Sequence, residues 1–250
     1  MSGYGNFAFF YDSLNSGADY ENRGEYLWSL FKKHGGHTPK TCLDLACGTG
    51  ILTEFFCKKG ADMIGVDGSA DMLSQARERL LGNFPETLLL CQDMTELDLY
   101  GTVEGGICTL DSLNHLGSID EVATVFSRLK FFIEPGGLFI FDVNTPYKHK
   151  NILANNCFVL EDDRIYCGWQ NFCDQSTLSV DIVLDIFLKQ NGRYDRFHEE
   201  FSERAYEPQE LSEVIEQNGF SVEAVYGDMT AEPPKPKEQR IVYVIKRKGM

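Results

Sequence analysis

The sequence predicts an α/β protein with a doubly wound, seven-stranded, mostly parallel sheet and an antiparallel β insertion. Short apolar runs alternate with helical periods between about residues 40 and 144. The alternation stops over residues 145–205 and resumes over 206–250. Near-continuous apolar strands separated by helices are typical of a parallel sheet covered by helices on both faces. We therefore predict one domain from residues 1–144 and 206–250, interrupted by an inserted antiparallel sheet at 145–205.

The strands and helices of the first half follow from apolar spacing. The predicted strands are Thr41–Ala46, Asp62–Asp67, Leu88–Gln92, Gly106–Leu110 and Leu138–Val143. An N-terminal helix ends at the turn His34–His37, and a second helix carries Met72, Leu73, Ala76 and Leu80 on one stripe. A third opens with a capping box from Ser118 to Glu121 and closes at Pro135–Gly137.

The insertion is predicted from strict alternation. Ser179–Lys189 places its apolar residues on one face, and Asn191-Gly192 follows as a hairpin turn. Arg193–Arg204 is the return strand, with Phe197 and Phe201 on one side, and an earlier strand spans Asp163–Phe172. After the insertion, a helix over Gln209–Asn218 ends at Gly219, and Phe220–Gly227 and Arg240–Lys246 complete the main sheet.

Charge and composition exclude several classes of protein. The 250 residues carry 23 Lys and Arg against 38 Asp and Glu, for a net charge of −15. Such a surface repels phosphate backbones and anionic lipids, so neither nucleic acid nor a membrane is expected as a partner. Because the chain shows no signal peptide and no apolar run near the ~20 residues of a membrane span, we expect a cytoplasmic protein.

The eight cysteines form no C-x-x-C pair, and most lie in apolar runs such as Leu90-Cys91 and Ile107-Cys108. This placement is typical of small buried thiols. We therefore expect reduced, structural cysteines and no metal site.

The segment Leu43–Gly50, followed by Ile51-Leu52-Thr53, carries the most information about function. It predicts a buried strand, a glycine turn and a helix, and the glycines allow a ligand to approach the backbone. A dinucleotide site would need a third glycine where Thr53 stands, which disfavours an NAD-dependent oxidoreductase. A nucleoside ligand without phosphates fits better, because Asp67 ends the next strand and can bind both ribose hydroxyls. A plain turn without a ligand is the remaining alternative.

These residues resemble the motifs of class I S-adenosylmethionine-dependent methyltransferases. Asp44–Gly50 is similar to their first motif, and Val66–Ser69 to their acidic second-strand motif. Gln92–Met94 is similar to their third motif, and Phe139–Asp142 to their fifth strand. The resemblance covers about residues 40–144 and 206–250, and it implies a Rossmann-like fold with S-adenosyl-L-methionine as cofactor.

A closer resemblance links the chain to small-molecule methyltransferases that include amino-sugar N,N-dimethyltransferases. It rests on Phe9–Asp12, Asp19-Tyr20, the inserted sheet and Arg204–Tyr206. Those enzymes carry an N-terminal tyrosine over the active site, so the resemblance implies that residues 1–39 form a helical lid containing Tyr11.

The family match implies a set of cofactor contacts at the strand ends. Gly48 and Gly50 would approach the amino-acid part of the cofactor. Asp67 would bind its ribose, and Asp93 with Met94 would contact its adenine. Met72 would cover the adenosine or serve as an ordinary core residue. The full predicted set is Asp44, Ala46, Cys47, Gly48, Gly50, Asp67, Gly68, Met72, Asp93, Met94, Leu110 and Asp111.

The acceptor end is predicted from the fourth strand end, Leu110–His115. Enzymes that methylate the amines of DNA bases or the amides of glutamine resemble one another in carrying Asn/Asp-Pro-Pro-Tyr at this position. The present segment departs from that motif, which argues against DNA bases and glutamine amides as acceptors. His115 can take a proton near neutral pH and is the predicted acid–base residue, with a satisfied loop histidine as the alternative. Tyr11 is the second predicted catalytic residue, with core packing as its alternative. His149 and His198 are expected at the surface.

Together these observations predict methyl transfer to an amine or hydroxyl of a small molecule by in-line displacement. A cofactor-binding regulatory protein on the same fold is the non-enzymatic alternative. The apolar face of the inserted sheet must cover something, either the acceptor pocket or a second subunit in a homodimer.

Overall fold

The computed structural model describes residues 12, 16–190 and 192–249, and Tyr11 lies outside the described residues. The main-sheet strands are β1 Thr41–Leu45, β2 Asp62–Asp67, β3 Leu88–Cys91, β4 Val103–Cys108, β5 Ile133–Asn144, β10 Phe220–Gly227 and β11 Arg240–Arg247. The second sheet contains β6 Cys157–Glu161, β7 Ile165–Asp174, β8 Ser179–Gln190 and β9 Arg193–Arg204. The helices are α1 Tyr20–Gly35, α2 Ile51–Lys58, α3 Ala70–Leu80, α4 Ile119–Phe132 and α5 Pro208–Gln217.

The main sheet has the strand order β10-β11-β5-β4-β1-β2-β3. Strands β1 to β5 pair in parallel, and β11 joins β5 and β10 in antiparallel fashion. The chain moves outward from β1 through β2 to β3 and then crosses to β4 on the other side of β1. Ligands bind at such a switch point, beyond the carboxyl ends of the strands. The predicted fold class is confirmed, and the sheet brings the four predicted strand ends to one edge.

The core lies on both faces of this sheet. One cluster joins aromatic residues of α4, β5 and β11, in which the rings of Phe141 and Tyr243 stack with centroids 5.0 Å apart. The other packs Leu27 and Phe31 of α1 against Phe56 of α2. Each of these side chains is nearly or fully buried, so the hydrophobic effect contributes strongly to holding the helices on the sheet.

One predicted boundary is wrong. Helix α4 ends at Phe132, and Pro135–Gly137 lies inside β5 rather than closing the helix. Ile133 is already extended, and Gly136 has a φ of 84° at an irregularity in the pairing with β4. The glycines therefore serve a bulge in the strand and not a helix terminus.

The second sheet is antiparallel, with the strand order β6-β7-β8-β9. On its inner face Val180, Ile182 and Ile186 are buried in a cluster that also contains Met72 of α3. On its outer face Tyr166, Phe172 and Tyr194 are exposed. The inner face thus packs against the main domain, and the homodimer through this sheet stays a prediction.

Two predictions of exposure or burial are wrong: His149 was expected at the surface and Cys91 in the core. His149 is fully buried and its Nδ1 lies 2.8 Å from the Leu178 carbonyl oxygen, because the π-helical turn Lys148–Leu153 passes beneath the second sheet. It lies between Lys148 and Lys150 in the sequence, so no local apolar pattern indicated that it is buried. Cys91 is exposed, since β3 is an edge strand of the main sheet. His198 is exposed as expected.

Candidate active site

The glycine turn between β1 and α2 is built from residues in left-handed backbone conformations. Ala46, Gly48 and Gly50 have φ values of 60°, 54° and 76°. A Cβ on Gly50 would lie 2.9 Å from the Cβ of Ala76 in α3, so only glycine allows this close approach. The turn therefore exposes backbone at the carboxyl end of β1, where a ligand can contact it.

Asp67 ends β2 beside this turn. Its two carboxylate oxygens accept hydrogen bonds from the backbone N–H groups of Gly48 and Ser69, each at 2.8 Å. Burial raises the pKa of Asp67, while these two bonds oppose the shift. The bonds hold the carboxylate in one orientation and leave lone pairs on both oxygens for a pair of hydroxyl groups.

Asp93 follows β3 and caps the short helix Met94–Glu96. Its Oδ1 accepts from the backbone N–H of Thr95 at 2.8 Å and from the Thr95 hydroxyl at 2.6 Å. Within the described chain no group donates to Oδ2, which can accept from a ligand amine.

These strand ends line a cavity of about 490 Å³. Eight of the predicted site residues line it: Ala46, Gly48, Asp67, Gly68, Met72, Asp93, Met94 and His115. Ser69, Ser112 and Leu116 also line it; Ser69 and Ser112 stand in segments that the sequence indicated, but none of the three was among the predicted contact residues. Ser69 could have been found, because it stands at the N-cap position of α3 directly after the acidic strand end.

Five predicted contact residues do not line the cavity: Asp44, Cys47, Gly50, Leu110 and Asp111. Cys47 and Gly50 shape the glycine turn, since the Cys47 N–H donates to the Val66 carbonyl at 3.0 Å and Gly50 starts α2. Asp44 is buried below the turn and accepts from the Thr53 hydroxyl at 2.6 Å. Thr53 thus satisfies a buried carboxyl group. Direct cofactor contact by these five stays a prediction.

Burial raises the pKa of Asp44 to about 7, from 3.8. The folded state therefore prefers the protonated acid, and the free energy of unfolding should fall as pH rises from about 4 to 7. We expect wild-type protein to lose about 2–3 kcal/mol more than Asp44→Asn between pH 5 and pH 8. Urea unfolding at both pH values measures this. Asp62→Asn, at an exposed aspartate on β2, should behave like wild type; an equal loss in Asp44→Asn would contradict the assignment.

Leu110 and Asp111 form a second strained turn, with φ values of 56° and 57°. Their N–H groups donate to the Asp142 carboxylate at 2.9 and 2.8 Å. Burial alone would raise the pKa of Asp111, but Arg240 and Lys148 hold it well below its usual range. The Asp111 carboxylate is thus committed to an internal ion pair, and the turn presents Ser112 and His115 to the cavity.

Asp12 is bonded to the glycine turn and to α3. Its Oδ1 accepts from the Thr49 hydroxyl and its Oδ2 from Arg79 of α3, both at 2.6 Å. Arg79 also donates to the Thr49 carbonyl at 2.9 Å. Sequence reasoning missed Thr49 and Arg79, because residues so far apart in sequence meet only in the fold. These bonds fix the residue next to Tyr11.

Tyr20 offers a further polar group that the sequence did not assign. Its hydroxyl is buried and has no hydrogen-bond partner among the described residues. Burial raises its pKa, and the Asp12 carboxylate adds to the shift. An unsatisfied buried hydroxyl costs free energy that a bound ligand can recover. Tyr20 lines a separate cleft with Ile51 and Phe55 rather than the cavity at the strand ends. The open glycine turn and the two-oxygen face of Asp67 fit a nucleoside.

The acceptor end of the cavity is shared between the two sheets. His115 lies in the short helix Ser112–His115, and its ring is 5.2 Å from that of Phe201 on β9, measured between centroids. Asn114 is fully buried, and its side chain joins the Asn144 backbone to the Arg204 carbonyl. The second sheet thereby holds the segment that carries His115.

Two kinds of feature are absent from the described residues. Within residues 12, 16–190 and 192–249, no three His, Cys, Asp or Glu side chains converge as a metal site. In the same ranges no helix is both long and apolar enough to cross a bilayer.

Comparison with known sequences identifies relatives. Residues 42–137 match the methyltransferase-domain family. The chain is 30% identical over 241 residues to YqeM of Bacillus subtilis (strain 168), a candidate methyltransferase, covering 96% of this chain and 95% of that one. It is also 30% identical over 129 residues to the dTDP-3-amino-3,4,6-trideoxy-alpha-D-glucopyranose N,N-dimethyltransferase of Streptomyces venezuelae, covering 51% of this chain and 52% of that one.

Solved structures agree with these relatives. An S-adenosylmethionine-dependent methyltransferase from Clostridium acetobutylicum ATCC 824 superposes with a TM-score of 0.90 at 30% identity, over 98% of this chain and 99% of that one. DesVI of Streptomyces venezuelae shares the fold, with a TM-score of 0.80 at 20% identity over 98% and 99% of the two chains. The predicted enzyme class and cofactor are confirmed: the chain belongs to the S-adenosylmethionine-dependent methyltransferases and uses S-adenosyl-L-methionine.

Proposed function

We propose that the protein transfers the methyl group of S-adenosylmethionine to an amine or hydroxyl of a small molecule. The observation that carries this proposal is the cavity of about 490 Å³, which is lined by the carboxylates of Asp67 and Asp93 and by His115, whose ring lies near Phe201 of the second sheet. A cavity of this size suits a small ligand rather than a polymer. The net charge of −15 further disfavours nucleic acid as the acceptor.

Within this proposal the cofactor is held by residues of the main domain. Asp67 accepts from the ribose hydroxyls, and Asp93 with Met94 contacts the adenine. The Gly48 backbone contacts the amino-acid part. When bound, the cofactor supplies an electrophilic methyl group on a sulfonium.

The protein's own contribution is alignment and exclusion of water. In-line displacement needs the nucleophile roughly 3 Å from the methyl carbon, and holding it there supplies much of the rate. His115 orients the nucleophile or accepts its proton, and Tyr11, which lies outside the described residues, stays the second proposed catalytic residue. A hydroxyl acceptor requires that base, whereas an amine acceptor needs only to arrive neutral.

A direct assay tests the proposal. Purified protein is incubated with S-adenosylmethionine carrying a labelled methyl group and separate panels of small amines, small alcohols and phenols, RNA and unfolded protein. Release of S-adenosylhomocysteine and label transfer are measured together. We expect transfer within the small-molecule panels. Transfer confined to RNA or protein would overturn the proposal, and cofactor binding without turnover in any panel would favour the regulatory alternative.

A further inference from the structure

A buried histidine and a buried carboxylate face each other where the second sheet joins the main domain. The chain leaves β5 at Asn144 and enters the π-helical turn that carries His149, and it returns through the end of β9, where Glu203 lies. The His149 Nε2 and the Glu203 Oε2 are 3.7 Å apart. The His149 side chain is fully inaccessible and that of Glu203 is 8% exposed, so water and salt screen this pair only weakly.

The other ring nitrogen of His149 fixes its tautomer. Nδ1 lies 2.8 Å from the Leu178 carbonyl oxygen, which can only accept, so Nδ1 carries a proton. In a neutral ring Nε2 is then a bare acceptor, and it has no hydrogen-bond partner among the described residues. An ionised Glu203 beside it is also an acceptor only. Two buried acceptors side by side cost free energy, whereas a proton on Nε2 turns them into an ion pair.

The charges near this pair also favour the proton. The Asn144 side-chain amide donates to both Glu203 and Asp111, and so joins the pair to an ion-paired network. The network contains the cations Arg23, Lys148 and Arg240 and the carboxylates Asp111, Asp142, Asp228 and Glu203. Three cations thus face four carboxylates, and a protonated His149 supplies the fourth cation.

The second sheet adds no further charge to His149 on its other side. Cys173 of β7 donates its thiol to the His149 carbonyl oxygen at 3.6 Å. Burial raises the pKa of that thiol, so it stays neutral at ordinary pH. Glu203 is therefore the ionic partner that the second sheet offers to this ring.

We propose that His149 is a positioning residue, whose protonated ring pairs with Glu203 and holds the second sheet against the segment that carries His115. Contacts lead from Glu203 to that segment without a gap. Asn144, which Glu203 binds, donates its backbone N–H to Asn114 at 2.8 Å, and Asn114 donates to the Arg204 carbonyl at 2.8 Å. Asn114 directly precedes His115. The inference rests on the proposed function for the part that His115 plays in methyl transfer.

Nuclear magnetic resonance of the full chain, with isotope-labelled histidines and saturating S-adenosylhomocysteine, tests the position of the proton. We expect both ring nitrogens of His149 to be protonated at pH 7, and His149→Gln identifies its signals by their absence. In the same spectra the His115 signals should shift or broaden in His149→Gln and in Glu203→Gln. His198→Gln is the matched control, because it makes the same change at an exposed histidine that also pairs with carboxylates. It should leave the His115 signals unchanged.

Two results of this experiment would overturn the inference. One is a neutral His149 ring at pH 7, which the wild-type spectrum reveals even if a variant fails to fold. The other is a set of His115 signals that is the same in wild type and in both His149→Gln and Glu203→Gln.

The pH dependence of unfolding measures the same proton. A histidine in the unfolded chain has lost most of its proton above about pH 6.5, whereas the folded state retains it at Nε2. The stabilisation is therefore complete below that pH and is lost as the pH rises to where the folded state releases the proton. Relative to His149→Gln, the unfolding constant of wild type should rise by up to about ten-fold per pH unit between about pH 6.5 and 8. Parallel curves for wild type and His149→Gln would contradict the inference.

Activity should follow the proton. With the acceptor that gives most transfer in the panels, we expect the ratio of kcat in wild type to kcat in His149→Gln to be at least roughly five-fold at pH 7. The ratio should approach one above the pH at which the His149 signals show loss of the proton, and a ratio that is constant with pH would count against the positioning role. Failure of the proposed function is distinguishable, because it would appear as absent methyl transfer in every small-molecule panel while the spectra still report the His149 proton.

Discussion

His115→Ala is expected to lower kcat for the best acceptor by roughly ten-fold to a thousand-fold, in the range of general acid–base catalysis and below it. Cofactor affinity should stay within about two-fold, because Asp67 and Asp93, the carboxylates proposed to bind the ribose and the adenine, are unchanged. If the acceptor is an amine, the loss of kcat in His115→Ala should lie at the low end of this range. It should also shrink at high pH, where the amine is already neutral. Steady-state kinetics and calorimetry with S-adenosylhomocysteine measure both effects.

Three further variants separate chemistry from packing. His115→Phe keeps a ring against Phe201 but removes the nitrogens, so it should lose activity as His115→Ala does. His198→Ala, on the exposed outer face, should be neutral. Asp67→Ala, in contrast to His115→Ala, should weaken cofactor binding roughly ten- to hundred-fold. Full activity in His115→Phe would leave His115 with a packing role only.

Arg240→Met is expected to lower the free energy of unfolding by about 3–5 kcal/mol. Arg240 binds the nearly inaccessible carboxylate of Asp142 through Nη1, and Asp111 through Nη2 at 3.0 Å. Without the guanidinium, the buried carboxylate of Asp142 and the partly exposed carboxylate of Asp111 keep Arg23 and Lys148 as their cationic partners among the described residues. The strained Leu110–Asp111 turn, which depends on Asp142, should loosen with them. Urea unfolding at pH 7 measures the loss.

Arg196→Met provides the comparison, because Arg196 pairs with Asp185 on the outer face and is 59% exposed. That pair should contribute less than about 1 kcal/mol.

The pH dependence of the free energy of unfolding has a defined sign. Asp111 has a lowered pKa in the fold, so its stabilisation is present above the ordinary aspartate pKa and is lost as pH falls through the lowered one. Equal stability of wild type and Arg240→Met would show that the network adds nothing.

The elements that sequence reasoning located well are those with strong local patterns. Strands Asp62–Asp67 and Phe220–Gly227 were predicted with the bounds that the structure has, and the capping box of Ser118 and Glu121 is present. Local spacing decides these features, because side-chain alternation and helix caps depend on neighbours in the chain. The same local signals failed at Pro135–Gly137, where pairing with β4 draws the chain into a strand.

The sequence by itself determined the fold class and the strand ends that line the cavity, because each depends on residues that are close together along the chain. Only the tertiary structure decided which groups are free to bind. It commits Asp111 to Arg240 and buries His149, whereas the Tyr20 hydroxyl stays without a partner among the described residues. The physical reason is that the free energy of a polar group depends on its burial and partners, and those partners come from distant segments that meet only in the fold.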